Sequence, residues 1–187
     1  YIGYVNTFPD VDSAIRRQTS VIDYNGALEF SFPLTVYLAY LRIPAEAAGQ
    51  VVVQNEDGLF VTPQRQLNVD DFGLWMNNYF GPPAQGNTGK FPMYSFKSIL
   101  DGAVDPAVFE DKIVLVGATA QGLGDYRTTP VGAVFPGVEI RANTMQNLID
   151  GDFIQRPGWM FVFDVALMLA LGGLLVALLP RFGVRLS

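Results

Sequence analysis

Apolar and polar positions change rhythm several times along this chain, and each change marks an element. Ile15 to Tyr24 runs into Asn25-Gly26, a pair that tolerates the positive φ values of a two-residue turn, and Ala27 to Phe30 returns, so residues 15–30 read as a hairpin. Ser31-Phe32-Pro33 then opens a helix in which Leu34, Tyr37, Leu38 and Leu41 recur at helical spacing until Pro44. A second hairpin joins Val51-Val52-Val53 to Leu59-Phe60-Val61 through Asn55-Glu56-Asp57-Gly58. Leu74 to Phe80 predicts a strand ending at Gly81-Pro82-Pro83, residues 81–92 a loop, and Ser95 caps a short helix that stops at Gly102.

The run Ile113-Val114-Leu115-Val116 has the β-branched, uniformly apolar character of a strand buried on both faces of a parallel sheet. A glycine-rich loop, Gly117 to Asp125, follows it. From about Glu139 to Ile149, Ile140, Met145, Leu148 and Ile149 line one side of a helix. Strand, loop and helix make half of a βαβ unit, so the expected fold is α/β, a sheet with flanking helices.

Trp159 to Leu179 carries one charge, Asp164, in an otherwise apolar run. As a helix it spans roughly 31 Å at ~1.5 Å per residue, the thickness of a bilayer's hydrocarbon core. The alternative, a buried core helix, is usually shorter or amphipathic. Pro157 suits a helix start, Trp159 a membrane interface, and Pro180-Arg181 ends the run with a cation at the helix's carboxyl end. The expected division is therefore 1–156 as an extracytoplasmic α/β domain, 157–180 as a transmembrane helix and 181–187 as a cytoplasmic tail. Arg181 and Arg185 set that orientation against Arg156, which has Asp150 and Asp152 beside it. Ala166, Ala170, Gly173 and Ala177 share one helix face, either a surface for close approach of another helix or ordinary membrane-helix composition. Asp164 reads as an intramembrane functional carboxylate or as a side chain reaching the nearby headgroups.

Composition narrows the chemistry. The 187 residues are half apolar and suffice for one ordinary core. Net charge is −6, and all but one of the acidic residues precede the apolar run, which argues against a nucleic-acid partner. The absence of Cys and His removes thiol nucleophiles, histidine bases, disulfides and Cys/His zinc sites. The sequence begins at Tyr1 with no signal-type stretch and reads as a processed chain or a fragment.

Gly117 and Gly122 have phosphate-loop spacing, but Leu123-Gly124 stands where that motif needs Lys and Ser/Thr, and the dinucleotide pattern fails as well. A loop leaving a buried strand is still where α/β sheets place ligands, so Thr119, Asp125, Arg127, Thr128 and Thr129 are the candidate wall of a small-molecule site. Against this, Asp125 could pair with Arg127 or cap loop amides, and Thr129-Pro130 could be only a turn. Asp10-Val11-Asp12 could contribute to a calcium site but lacks the rest of the standard loop, and reads better as a turn before Arg16-Arg17. No carboxylate pair has spacing suited to catalysis, so no catalytic residue, metal or cofactor is expected.

The order of several motifs resembles the second type of CHASE domain. These are Gly3-Tyr4-Val5-Asn6, Asp10-x-Asp12 with Arg16, Met76-Asn77-Asn78-Tyr79-Phe80-Gly81-Pro82, and Tyr94-Ser95-Phe96 through Leu100-Asp101-Gly102. Phe109 through Ala120, Asp125 with Thr129-Pro130, and Pro136-Gly137-Val138-Glu139-Ile140-x-Ala142-Asn143 complete the set. The resemblance implies an outward-facing sensory domain of bacterial adenylate cyclases, histidine kinases and Ser/Thr kinases, followed by membrane helices. It also implies a preceding helix and an N-terminal part of the sheet that this sequence lacks. The expected function is a non-enzymatic sensor in the inner membrane, with its soluble domain periplasmic and coupled to a cytoplasmic output module. The alternative is an accessory subunit docked among other membrane protein subunits, with membrane lipid as the surrounding partner in both cases.

Overall fold

The computed structural model describes residues 1–55, 58–62, 65–70, 72–119, 122, 125–155 and 157–179. Arg156, Arg181, the 181–187 tail, and parts of the 55–58 turn and of the glycine-rich loop lie outside the described residues. The chain divides into two units, Tyr1–Ile154 and the segment from Gln155 onward.

Asn25 and Gly26 take φ of 54° and 81°, and this turn joins β2 (Val21–Tyr24) to β3 (Ala27–Phe30) in antiparallel register. The first arm is shorter than the sequence suggests. Its leading residues form a separate strand, β1 (Arg17–Thr19), in another sheet. The Ser31 hydroxyl accepts the Leu34 N–H at 3.4 Å and caps α1 (Phe32–Tyr40), whose Leu34, Tyr37 and Leu38 are buried. After the short α2 (Ala48–Val51), β4 (Val53–Asn55), β5 (Gly58–Thr62) and β6 (Arg65–Leu67) form a three-stranded sheet in the order β4-β5-β6.

A central strand, β7 (Leu74–Asn77), is flanked by β1 and by β10 (Phe153–Ile154), antiparallel on both sides. The short α3 (Phe96–Leu100) follows Ser95, which takes the N-cap position but, unlike the expectation from sequence, makes no side-chain cap bond. The last pair, β8 (Tyr126–Thr129) and β9 (Gly132–Pro136), is a hairpin inside the stretch expected to be loop. It feeds α4 (Gly137–Asp150), which ends on Gly151 in the left-handed region. The fold is mixed α/β with helices beside small sheets.

Two expectations are corrected. Among the described residues every pair of named strands is antiparallel; parallel pairing is confined to the single bridges Tyr4–Ser31 and Ala14–Thr128. Ile113-Val114-Leu115-Val116 is not a buried strand: Val114 is 51% and Val116 82% exposed. Composition gives such a run its apolarity, but burial requires neighbouring strands, and the hydrogen bonds between described residues give it none.

The main core gathers Leu34, Tyr37 and Leu38 from α1, Leu59, Val61 and Leu67 from the three-stranded sheet, Trp75 from β7 and Leu148 from α4. Fully burying such a side chain contributes about 1.5–3 kcal/mol before entropy is counted. Trp75 meets Phe153 edge-on at 5.1 Å and donates its indole N–H to the Ser20 hydroxyl at 2.9 Å. A second cluster joins Ile15, Phe135 and Ile140, with Tyr79 packed against it.

In the second unit, α5 (Trp159–Leu178) has mean hydropathy 2.4 and none of its apolar window is buried, so it is long and apolar enough to cross a membrane.

The Asp10–Asp12 turn is an ion-pair network. Arg16 bonds Asp12 at 2.6 Å and Asp10 at 3.1 Å, while Arg17 bonds Asp10 at 2.6 Å and Asp70 at 3.0 Å. Hydrogen bonds from Arg17 foremost hold Asp10 below the ordinary carboxylate range, and those from Arg16 do the same for Asp12. A folded-state value lowered in this way gives stability present above about pH 4 and lost as pH falls through the folded values. Thermal unfolding of the full chain should therefore show a falling Tm below about pH 4, with a shallower fall in Asp10→Asn. Equal acid slopes in the two proteins would contradict this assignment.

Candidate functional site

The residues that carry polar chemistry converge on the first three turns of α4. Its buried stripe mixes apolar Ile140 and Leu148 with Glu139, Asn143 and Asn147, which are 4%, 1% and 0% exposed. Positions four apart lie one above another on a helix, so these three side chains form a polar ladder. Opposite them runs the segment 78–84, where Gly81-Pro82-Pro83 leaves the strand pattern.

The ladder meets that segment through its backbone. Asn147 accepts the Asn78 N–H at 2.8 Å and donates to the Asn78 carbonyl at 3.0 Å. Asn143 accepts the Phe80 N–H at 3.1 Å and donates to the same carbonyl at 2.8 Å. Both oxygens of Glu139 face the Ala84 N–H, at 2.9 and 3.2 Å. Side-chain amides here replace a neighbouring strand. Desolvation raises the Glu139 carboxyl above its ordinary value, opposed by the Ala84 N–H.

A charged cluster lies at the start of the same helix. The Asp125 carbonyl accepts the Gly137 N–H at 2.8 Å, and its carboxylate occupies the room a side chain at position 137 would need. Glycine is therefore required at 137 by proximity. Arg127 approaches Asp125 at 3.6 Å, and both side chains are about half exposed. Arg141, on α4, donates to the Val5 carbonyl. Burial holds its guanidinium below the ordinary value, with Asp125 opposing that effect and Arg127 adding to it. The nearby phenols of Tyr4 and Tyr79 are pushed up to about 12, chiefly by burial.

Of the residues singled out from sequence, the structure brings Asp125 and Arg127 together. Thr119 is exposed, and its carbonyl accepts the Tyr126 hydroxyl. Thr128 is exposed; its carbonyl receives the Ile15 N–H at 2.8 Å and its hydroxyl bonds the Ala133 carbonyl at 3.3 Å. Thr129 is buried and its hydroxyl closes the hairpin turn on the Gly132 carbonyl at 3.1 Å. Arg141, Glu139 and Asn147 were not singled out for a site. The spacing carries part of the signal for Glu139 and Asn147: 139, 143 and 147 are polar at steps of four along the buried face that also holds Ile140, Thr144 and Leu148.

Among the described residues no group of three or more acidic side chains is placed to hold a metal. The cluster can recognise a charged or hydrogen-bonding group, since Asp125 stands 3.6 Å from the Arg127 guanidinium, which a competing anion would also attract.

The family model for the CHASE2 domain matches residues 1–179. CHASE2 domains are extracellular sensory domains rather than catalytic ones. No curated protein and no solved structure matches this chain.

Asn143→Ala or Asn147→Ala should each cost about 1–3 kcal/mol in denaturant unfolding, because the first leaves the partly buried Phe80 N–H and the second the Asn78 N–H without a partner, the Asn78 carbonyl keeping the other amide in each case. Glu139→Gln keeps an acceptor for Ala84. Since burial raises the Glu139 value, the stability it gives is present below about pH 4.3 and lost as pH rises through the folded value. The stability difference should therefore move in favour of Glu139→Gln between about pH 4 and pH 8. A difference moving the other way would show that the ionised carboxylate is the preferred form.

Proposed function

The chain belongs to the CHASE2 domain family, and from that membership we propose that it is an extracytoplasmic sensory domain anchored by α5, coupling a periplasmic ligand or partner to a membrane signalling system. The observation that carries this reading is the family match, which runs through both units from residue 1 to residue 179. The length and hydropathy of α5 support the anchor, and Arg181 and Arg185 just after it support a cytoplasmic carboxyl end.

In this reading the bacterial inner membrane holds α5, with Trp159 and Arg181 at its two interfaces. Ala166, Ala170, Gly173 and Ala177 form the face that receives a partner helix. The hairpin surface with Thr119, Asp125, Arg127 and Thr128, joined by Arg141 and backed by the buried Thr129, is the region where a ligand or partner is sensed. Signalling requires that the occupant distinguish two states of this surface.

The chain has no cysteine, so single cysteines report its topology without background. Val11→Cys, at a fully exposed position, should react with a membrane-impermeant maleimide on intact spheroplasts, and Ser187→Cys only after permeabilisation. The reverse pattern would overturn the proposed orientation. In the same background Ala170→Cys should cross-link to a neighbouring helix on oxidation; its failure to do so, with Leu171→Cys cross-linking instead, would reject the small-residue face.

A further inference from the structure

Glu139 lies in a small cleft that Phe80, Phe91, Phe135, Asn143 and Lys90 also line. Its carboxylate is almost fully buried, and among the described residues no cation stands within 4.0 Å of it. Buried carboxylates are normally paired, and this one has only a backbone N–H. Beside it stand aromatic rings: Phe80 and Phe91 meet edge-on at 6.0 Å, and Phe135 is buried. A cation already uses part of that arrangement. The Lys90 ammonium lies 4.7 Å from the centre of the Phe80 ring, on an exposed side chain that gives up little on leaving.

We propose that this cleft binds a small organic ammonium cation, and that the Lys90 side chain is its internal occupant, displaced when the ligand enters. The ligand's ammonium enters to the Glu139 carboxylate, giving that charge the partner it lacks, while its carbon chain takes the place against the Phe80 ring that the Lys90 side chain now fills. The raised Glu139 value accords with an uncompensated charge. Asn143 is held by its bonds to Phe80 and Asn78, so the wall beneath the ligand is fixed before binding. The site is separate from the Asp125–Arg127 surface. It rests on the sensory reading only for its purpose, since binding can be measured without any signalling output.

The probe is n-butylammonium, the chemical equivalent of a lysine side chain, titrated into the full chain in zwitterionic-lipid nanodiscs while backbone amide shifts of Phe80, Phe91 and Asn143 are followed by NMR. n-Butanol serves as the uncharged control. A saturable shift with the cation and none with the alcohol is expected. Glu139→Gln, which keeps the bond to Ala84, should weaken binding about tenfold or more, and Lys90→Ala should tighten it several-fold. No saturable shift in either wild type or Lys90→Ala overturns the site while leaving the topology result to judge the sensory reading. Binding unchanged by Glu139→Gln, or not tightened by Lys90→Ala, overturns it as well.

Discussion

The Tyr1–Ile154 unit depends on one substitution of partners: side-chain amides and a carboxylate on α4 stand where a β-strand's backbone would otherwise be. Gly81-Pro82-Pro83 cannot continue the ladder of β7, because proline has no N–H to donate. The backbone groups of Asn78, Phe80 and Ala84 still need partners, since leaving them buried and unpaired costs about 1–3 kcal/mol each. Asn147, Asn143 and Glu139 supply them at successive turns of one helix. The two-way bond between Asn147 and Asn78 reproduces the donor and acceptor pattern of a strand pair, which fixes how the amide is turned.

From this clamp the remaining architecture follows. It sets α4 against the end of β7, where Leu148 enters the main core and Ile140 joins Ile15 and Phe135 in the second. It also places the start of α4 beside the β8–β9 hairpin, so that Asp125 fills the space over Gly137. Glu139 thus faces the 80–91 cleft, while Arg141, two residues on, is grouped electrostatically with Asp125 and Arg127. One helix organises two chemically different surfaces, one with an uncompensated carboxylate among aromatic rings and one with mixed charge. A sensory domain can discriminate ligands by such surfaces alone.

Local signals were legible in the sequence wherever geometry is set within a few residues. The Asn25-Gly26 turn, the Ser31 cap, α4 and the long apolar helix all follow from turn chemistry, capping and periodicity. Pairings set by distant chain segments were not legible. Residues 15–24 read as one hairpin arm because nothing local shows that Arg17–Thr19 joins β7 instead. Ile113–Val116 read as a buried strand because apolar composition carries no information about neighbours. The β8–β9 hairpin was hidden in a stretch dominated by glycine, threonine and proline. At the candidate site Asp125 and Arg127 were legible as a close pair in sequence, whereas Arg141 joins them only through the fold. The polar ladder was visible as spacing, yet its partner, a segment 55 to 69 residues away in sequence, was not.

The most direct test of this account is native-state hydrogen exchange at the Asn78, Phe80 and Ala84 amides of the full chain. If side chains of α4 hold this segment, these three amides exchange as slowly as those of β7 and open together with α4 as one cooperative unit. Exchange at the rate of an unprotected loop, with α4 and β7 still protected, would contradict it.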